Sequence, residues 1–220
     1  MICAVLTGST VKSMVAEARK TNADIVEARL DYLNESVEIG ILSEIKKPLI
    51  ATCMPAWEGG RFSGTEEERI RILTESLEFA SYVTVELAAK PKLRDKLIAE
   101  ARKRKVAVIV AFHDFKKTPS IAEIRRIVAR ESRIGDIAKV AFTANNRRDV
   151  AAVLSILAEK KPESKLIAIS MGSLGAISRI AGPMLGSYMA YGSLSESKKS
   201  APGQFSVEEL TRVFSILMKK

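Results

Sequence analysis

VAVIVAF (Val106–Phe112) and GDIAKVAF (Gly135–Phe142) are two short apolar runs separated by a segment, 119–132, of helical periodicity. Runs of this length, rich in β-branched residues, read as strands. A strand, an amphipathic helix and a second strand in succession predict a parallel βαβ unit. The same rhythm extends in both directions. Upstream lie ICAVLTG (2–8), ADIVEARL (23–30), PLIATCM (48–54) and YVTVEL (82–87); downstream lie KLIAISM (165–171) and SYMAYGS (187–193). Amphipathic segments near 11–20, 35–46, 65–79, 90–104, 146–159, 173–181 and 206–218 complete the repeat. Helix starts are marked by Ser63 or Thr65 before EEER, Ser120 before IAEI and Ser206 before VEEL, residues whose side chains satisfy free N–H groups of a first turn.

Eight strand–helix units without a linker or composition break predict an α/β protein, a (β/α)8 TIM barrel forming a single domain over 1–220. The competing doubly wound open sheet usually carries a Gly-rich turn after its first strand, and LTGST (6–10) is too weak to be one. In a barrel of this kind the chemistry collects at the C-terminal strand ends. The residues that finish each run are therefore the candidates.

Composition narrows the function classes. The 220 residues are 47% apolar and 28% charged, an ordinary globular balance. The apolar run Val106–Phe112 is far shorter than a membrane span. MICAVLTGST lacks the basic and long apolar regions of a signal peptide, so a cytoplasmic location away from membranes is expected. Cys3 and Cys53 fit no metal pattern and read as reduced packing residues. With His113 the sole histidine, a site of several His ligands is excluded within one chain, and no metal is expected. The net charge is +9, but the basic residues are spread along helices and do not interleave with aromatics. They read as a solvated exterior with a mild attraction for anionic metabolites, and nucleic acid is not expected as a partner.

At the strand ends, charge appears where apolar residues would be the rule. In GDIAKVAF, alternation places Ile137, Lys139 and Ala141 on one face and Ala138, Val140 and Phe142 on the other. Val140 and Phe142 suit the helix-facing side, which turns Lys139 toward the lumen. It is there either as a lysine that snorkels to the rim or as a desolvated amine, whose pKa burial lowers and whose lone pair is freed for attack on a carbonyl. The second strand ends in EARLD, with Glu27, Arg29 and Asp31 two apart on one face. These form either a structural ion-pair cluster or a polar wall, with Arg29 forking onto a carboxylate or hydroxyls. Glu58 precedes two glycines that permit tight turns near a ligand. His113 follows a fully apolar strand, and its ordinary pKa suits proton transfer. Arg179 follows ISMGSLGAIS, as a surface helix residue or a site cation. Ser200 and Gln204 lie in a long Ser/Lys/Pro/Gly loop, either a connector or a lid that hydrogen-bonds a polyhydroxylated ligand.

Taken in order, ExRxD, EGG, FHDF, DIxKxA, ISMGxxGxxSR and SAPGQ, over residues 27–204, resemble the type I 3-dehydroquinate dehydratases, Schiff-base enzymes of the shikimate pathway. The resemblance implies a (β/α)8 barrel, typically a homodimer, with no metal or organic cofactor. It implies that Lys139 forms an imine with the ketone of 3-dehydroquinate, that His113 is the general acid/base and that Glu58 orients His113. It further implies that Glu27 and Arg29 contact substrate, that Arg179 binds its carboxylate, that Ser200 and Gln204 belong to a closing loop, and that Met171 and Phe115 line the pocket. One position departs from the pattern. The family usually has Arg four residues before the Glu of EGG, and Met54 stands there, with Arg61 the candidate substitute. Two readings compete: a Schiff-base class I aldolase barrel, which calls for a phosphate-binding loop pair after the last two strands, and a basic RNA-binding protein or scaffold, which has no use for a lumenal lysine.

Overall fold

The computed structural model describes residues 1–34 and 39–217. Eight strands, β1 (Ile2–Leu6), β2 (Ile25–Arg29), β3 (Leu49–Thr52), β4 (Tyr82–Glu86), β5 (Ala107–Asp114), β6 (Ile137–Thr143), β7 (Leu166–Met171) and β8 (Ala190–Ser193), alternate with helices. The helices are α1 (Val11–Lys20), α2 (Glu66–Ser76), α3 (Pro91–Lys103), α4 (Ile121–Ile134), α5 (Arg147–Glu159), α6 (Ser178–Met184) and α7 (Val207–Leu217). The strands form one parallel sheet in the order β7-β6-β5-β4-β3-β2-β1-β8. It curls into a nearly closed (β/α)8 barrel. At the seam between β7 and β8, the Tyr188 N–H donates to the Leu166 carbonyl at 2.8 Å.

Alternation along each strand sorts the side chains into two shells. Val26, Ala28, Val83, Val85, Val108, Val110, Val140 and Phe142 face outward into the core shared with the helices. Cys3, Val5, Ile25, Ile50, Ile109, Ile137 and Ile167 face the lumen. Ile25, Ile50, Ile109, Ile137 and Ile167 are all at most 1% exposed, so they plug the barrel below the site. Both cysteines are free and buried. The basic residues Arg102, Lys103, Arg125, Arg126, Arg147 and Arg148 lie exposed on the helical exterior. Among the described residues no helix is long and apolar enough to cross a membrane.

Caps place the helices. Thr65 and Glu68 form a reciprocal capping box at α2, Ser120 accepts from the Glu123 N–H at α4, and Ser206 and Glu209 exchange bonds at α7. Several boundaries differ from the sequence reading, four of them with a clear local context. Of the helix expected over 35–46, Ile39–Glu44 forms a 3-10 turn and residues 45 and 46 are not helical. Gly40 weakens an α-helix there, and Pro48 soon follows; residues 35–38 lie outside the described residues. The helix expected over 173–181 starts late, at Ser178, because the Ser178 hydroxyl is tied to both backbone groups of Ser170. A Cβ at Gly175 would collide with the Ser170 carbonyl. β5 runs on to Asp114, and the Glu58 carboxylate accepts the His113 N–H at that end. β8 is shorter than its apolar run, beginning only at Ala190.

Shortening the plug should loosen the whole barrel. Ile109→Ala is expected to cost about 2–5 kcal/mol in urea unfolding, the range for a buried Ile truncated in a packed core. A loss below ~1 kcal/mol would mean the lumen collapses around the vacancy.

Candidate active site

The C-terminal strand ends open onto a cavity of about 590 Å³, its mouth included. Its floor and walls are Val5, Glu27, Arg29, Thr52, Met54, Thr84, Glu86, His113, Phe115, Lys139, Ala141, Ile169, Met171 and Arg179, with Tyr191, Ser200, Ala201 and Gln204 on the remaining side. The candidate site residues named from sequence are brought here except Glu58, which lies directly behind His113, Asp31, which lies behind Arg29, and Arg61. The lumen therefore changes character along its axis, from isoleucines at the bottom to charge at the top.

Lys139 pairs with Ala111 and Ile167 in the ladder, so its side chain points into the lumen. Its side chain is 8% exposed, Nζ lies 3.5 Å from Glu27 Oε1, and the ammonium sits 4.0 Å from the centre of the Tyr191 ring. An anion on one side and an aromatic face on another hold a cation in place with little water. Glu27 is held in turn. The Thr52 hydroxyl donates to Glu27 Oε1 at 3.0 Å, and Thr84 lies 2.9 Å from Thr52 Oγ1, positioned to donate to it.

His113 and Glu58 form a dyad. Glu58 Oε2 lies 2.8 Å from His113 Nδ1 and accepts the His113 backbone N–H at 3.2 Å. With Nδ1–H donated to Glu58 Oε2, Nε2 keeps its lone pair. Burial pushes the Glu58 carboxyl up to about 8, opposed by the His113 N–H and by the charges of Arg69 and Lys139. Burial, with the charges of Lys139 and Arg29, pulls the His113 imidazolium down to about 3. The imidazole is therefore neutral at physiological pH. The two glycines after Glu58 have separate reasons. Gly59 adopts a positive φ and lies against the Phe115 ring, and a Cβ at Gly60 would strike the Met54 carbonyl. Phe115, 38% exposed, stacks beside the imidazole with ring centres 6.4 Å apart.

The cations differ in what they hold. Arg29 forks onto Asp31 through Nε and Nη2 at 2.8 and 2.7 Å, so the second strand carries an ion pair and a cavity wall at once. Asp31 also accepts the Arg61 N–H at 3.0 Å. The Arg61 guanidinium rests 4.0 Å from the centre of the Tyr32 ring and does not line the cavity, so it does not occupy the place left by Met54. Arg179 is buried and has no carboxylate partner among the described residues. Its Nη2 reaches the Pro202 carbonyl only at 3.4 Å, and Nε bonds nothing. Burial pulls its pKa down to about 10. The loop over the mouth is pinned to itself and to the barrel. The Ser200 N–H and hydroxyl donate to Gln204 Oε1, Lys198 pairs with Glu17 of α1, and the Gly172 N–H donates to Pro202. A Cβ at Gly203 would strike the Gly172 carbonyl, which accounts for the glycine of SAPGQ.

The model of the type I 3-dehydroquinase family matches residues 2–220. The chain belongs to that family. A 3-dehydroquinate dehydratase of Methanocaldococcus jannaschii is 36% identical over 225 residues, covering 99% of each chain. Among solved structures, the type I 3-dehydroquinate dehydratase of Clostridium difficile with covalently modified comenic acid superposes with a TM-score of 0.88. It is 29% identical, over 98% of this chain and 91% of that one. The 3-dehydroquinate dehydratase of Aquifex aeolicus superposes at 0.86 with 30% identity and full coverage of both.

Within this type I 3-dehydroquinase barrel, several cavity residues escaped the sequence reading. Thr52, Thr84, Glu86 and Tyr191 line the cavity, and Arg69 of α2, fully buried, reaches Glu86 from behind. Glu86 carried the same kind of signal as Lys139, a charge within an apolar strand run. Tyr191 was legible from alternation in SYMAYGS. Arg69 sits in EEERIR and looks like an exposed helix residue until the fold is known. Among the described residues no group of three or more His, Cys, Asp or Glu is placed to hold a metal ion.

The dyad makes stability depend on pH with a defined sign. Glu58 and Glu86 are both raised to about 8 in the fold, so their protonated forms stabilise it fully below the unfolded value of ~4.5. That contribution is lost as pH rises through 8. His113, depressed in the fold, adds no slope above its unfolded value of ~6.5. The melting temperature of the unliganded chain is therefore expected to fall between about pH 6.5 and 8, and to fall less steeply in Glu58→Gln. Equal slopes in the two proteins would remove Glu58 as a source.

Proposed function

We propose that the chain catalyses the syn dehydration of 3-dehydroquinate to 3-dehydroshikimate through an imine on Lys139, the third step of the shikimate route to aromatic amino acids. The observation that carries this reading is one cavity lined by a buried amine, by a histidine backed by Glu58, and by a buried arginine with no anionic partner among the described residues. That set matches a substrate with a ketone, a β-hydroxyl and a carboxylate.

In this reading Arg179 takes the substrate carboxylate, the anion its environment lacks. Arg29, Glu27, Ser200 and Gln204 meet the hydroxyls, and Met171 and Phe115 pack the ring. The Lys139 amine adds to the ketone, and loss of one water gives the iminium. The iminium withdraws electrons from the adjacent C–H. His113 Nε2 removes that proton, the C–H electrons form an enamine, and Glu58 stabilises the imidazolium. The enamine then expels the β-hydroxyl, which leaves as water with the proton from His113. A water hydrolyses the product imine and restores the amine. The net change is loss of one water, so no cofactor is called for.

An aldolase-type barrel would want a phosphate cradle after the last two strands. That end presents Arg179 and the 200–204 loop, which suit a carboxylate and hydroxyls better. We further propose that residues 1–220 act as one catalytic domain, as a homodimer, in the cytoplasm, without nucleic-acid or membrane partners. Ile177 and Met184, 52% and 51% exposed and one heptad apart, offer an apolar face for a second copy.

Turnover is read from the conjugated enone that forms as 3-dehydroquinate is consumed. The intact chain is expected to produce it and Lys139→Met to produce none; an inactive parent or an active Lys139→Met sinks the proposal. His113→Ala should still bind substrate while turnover falls about 10²–10⁴-fold, the usual contribution of a positioned acid/base. Met54→Arg should lower KM if a cationic contact is missing at that wall, and an unchanged KM would mean that the contact is supplied elsewhere.

A further inference from the structure

Among the paired neighbours of the sheet, β3 and β4 share the shortest ladder. These strands pair only through Ile50–Tyr82 and Ala51–Val83, whereas β5 and β6 pair over six positions from Ile109–Ile137 to Asp114–Phe142. Beyond that short ladder the backbones split: no further ladder pair joins them, although the Thr52 and Thr84 hydroxyls still meet at 2.9 Å. Met54, the 3-10 turn Ala56–Glu58 and the dyad all depend on how the β3 side of the split is held.

Arg69 fills the split from the helix side. It is 0% exposed, and its Nη1 donates both to the Cys53 carbonyl, at 3.0 Å, and to Glu86 Oε2. One atom thus joins the chain end beyond β3 to the last residue of β4. The other edge of the guanidinium is held by Glu66, Nε to Oε2 at 2.8 Å and Nη2 to Oε1 at 2.7 Å. A planar fork fixed on two edges keeps its geometry, which an ammonium at the same place would not reproduce. The Cys53 carbonyl belongs to the residue before Met54, so the cation lies behind the position where the family usually has its arginine.

We propose that Arg69 is a positioning residue of this site: it staples β3 to β4 where their ladder ends, and so sets the place of Glu58 against His113. The inference rests on the dehydratase reading, since the dyad is what it positions. Arg69 touches no part of the cavity itself; it acts through Glu86, which lines the cavity and keeps Oε1 unpartnered, and through the backbone at Cys53. The ionisable groups around Glu86 are Arg69 and Glu66 of α2, Cys53 after β3, Glu58 of the following turn, and Arg94 of α3, which donates to the Leu87 carbonyl. His113 and Lys139 share the cavity. Within this group Arg69 favours the ionised form of Glu58, while the charges of Glu58 and Glu86 disfavour each other. Removing the cation and removing the Glu86 charge therefore act on the dyad in opposite directions.

The test is the pH profile of kcat/KM, after turnover by the parent chain has been established; absence of that turnover would count against the dehydratase reading and not against Arg69. In Arg69→Met the acid limb should move to higher pH and kcat at neutral pH should fall about 10–100-fold, the scale of a small misplacement of catalytic groups, with KM little changed. Arg69→Lys should return the limb toward its original pH and recover only part of kcat. Glu86→Gln, nearly the same shape, should move the limb to lower pH. Should Arg69→Met fail to fold, as a buried carboxylate left unpaired can cause, the Lys and Gln variants carry the test. A purely structural role would lower melting temperature and leave the limbs in place. Unmoved limbs in folded variants, or shifts of the same sign in Arg69→Met and Glu86→Gln, would overturn the proposal.

Discussion

Lys139 and Glu27 face each other in the lumen, Nζ to Oε1 at 3.5 Å, each side chain under a tenth exposed. Neither charge is tolerable there alone, because burying an unpaired ion costs several kcal/mol or more. The pair therefore constrains its surroundings. Glu27 needs the hydroxyl of Thr52, and Thr52 needs Thr84, so three neighbouring strands must present polar groups at one level. Tyr191 presents its ring on another side of the ammonium. Below this level the lumen can be sealed with isoleucine; above it, the cavity can be charged.

The same logic explains why the site contains cations with different surroundings. Arg29 is fully engaged by Asp31 on one edge, and Arg69 is engaged on both edges. Arg179 alone among these has no carboxylate among the described residues, yet it is as buried as the others. A protein that pairs its other lumenal charges and leaves one guanidinium open has left room for an anion that arrives with a ligand. The loop carrying Ser200 and Gln204 closes over that guanidinium through the Pro202 carbonyl and the neighbouring Gly172.

Much of this was legible in the sequence because barrels are periodic. Alternation turned Lys139 inward, and the apolar face of Val140 and Phe142 turned outward as the pattern required. His113 and Arg29 were legible as charges or titratable groups ending apolar runs. What escaped was nonlocal or lay against the periodicity. Arg69 lies in a helix start that reads as solvent-exposed, and only the short β3–β4 ladder gives it a reason to be buried. Arg61 looked close enough to replace the missing arginine at Met54, but its stacking on Tyr32 takes it away from the cavity. The segment before Ser178 looked helical from its apolar spacing, whereas the close approach of Gly175 to Ser170 keeps it in turns.

In the proposed reaction the amine held between Glu27 and Tyr191 forms a covalent bond with substrate. The direct measurement is borohydride reduction of the chain in the presence of 3-dehydroquinate, followed by intact mass and peptide mapping. A single reduced adduct is expected on the peptide containing Lys139, absent without substrate and absent in Lys139→Met. An adduct on another lysine, or undiminished turnover in Lys139→Met with no adduct, would contradict the proposed reaction.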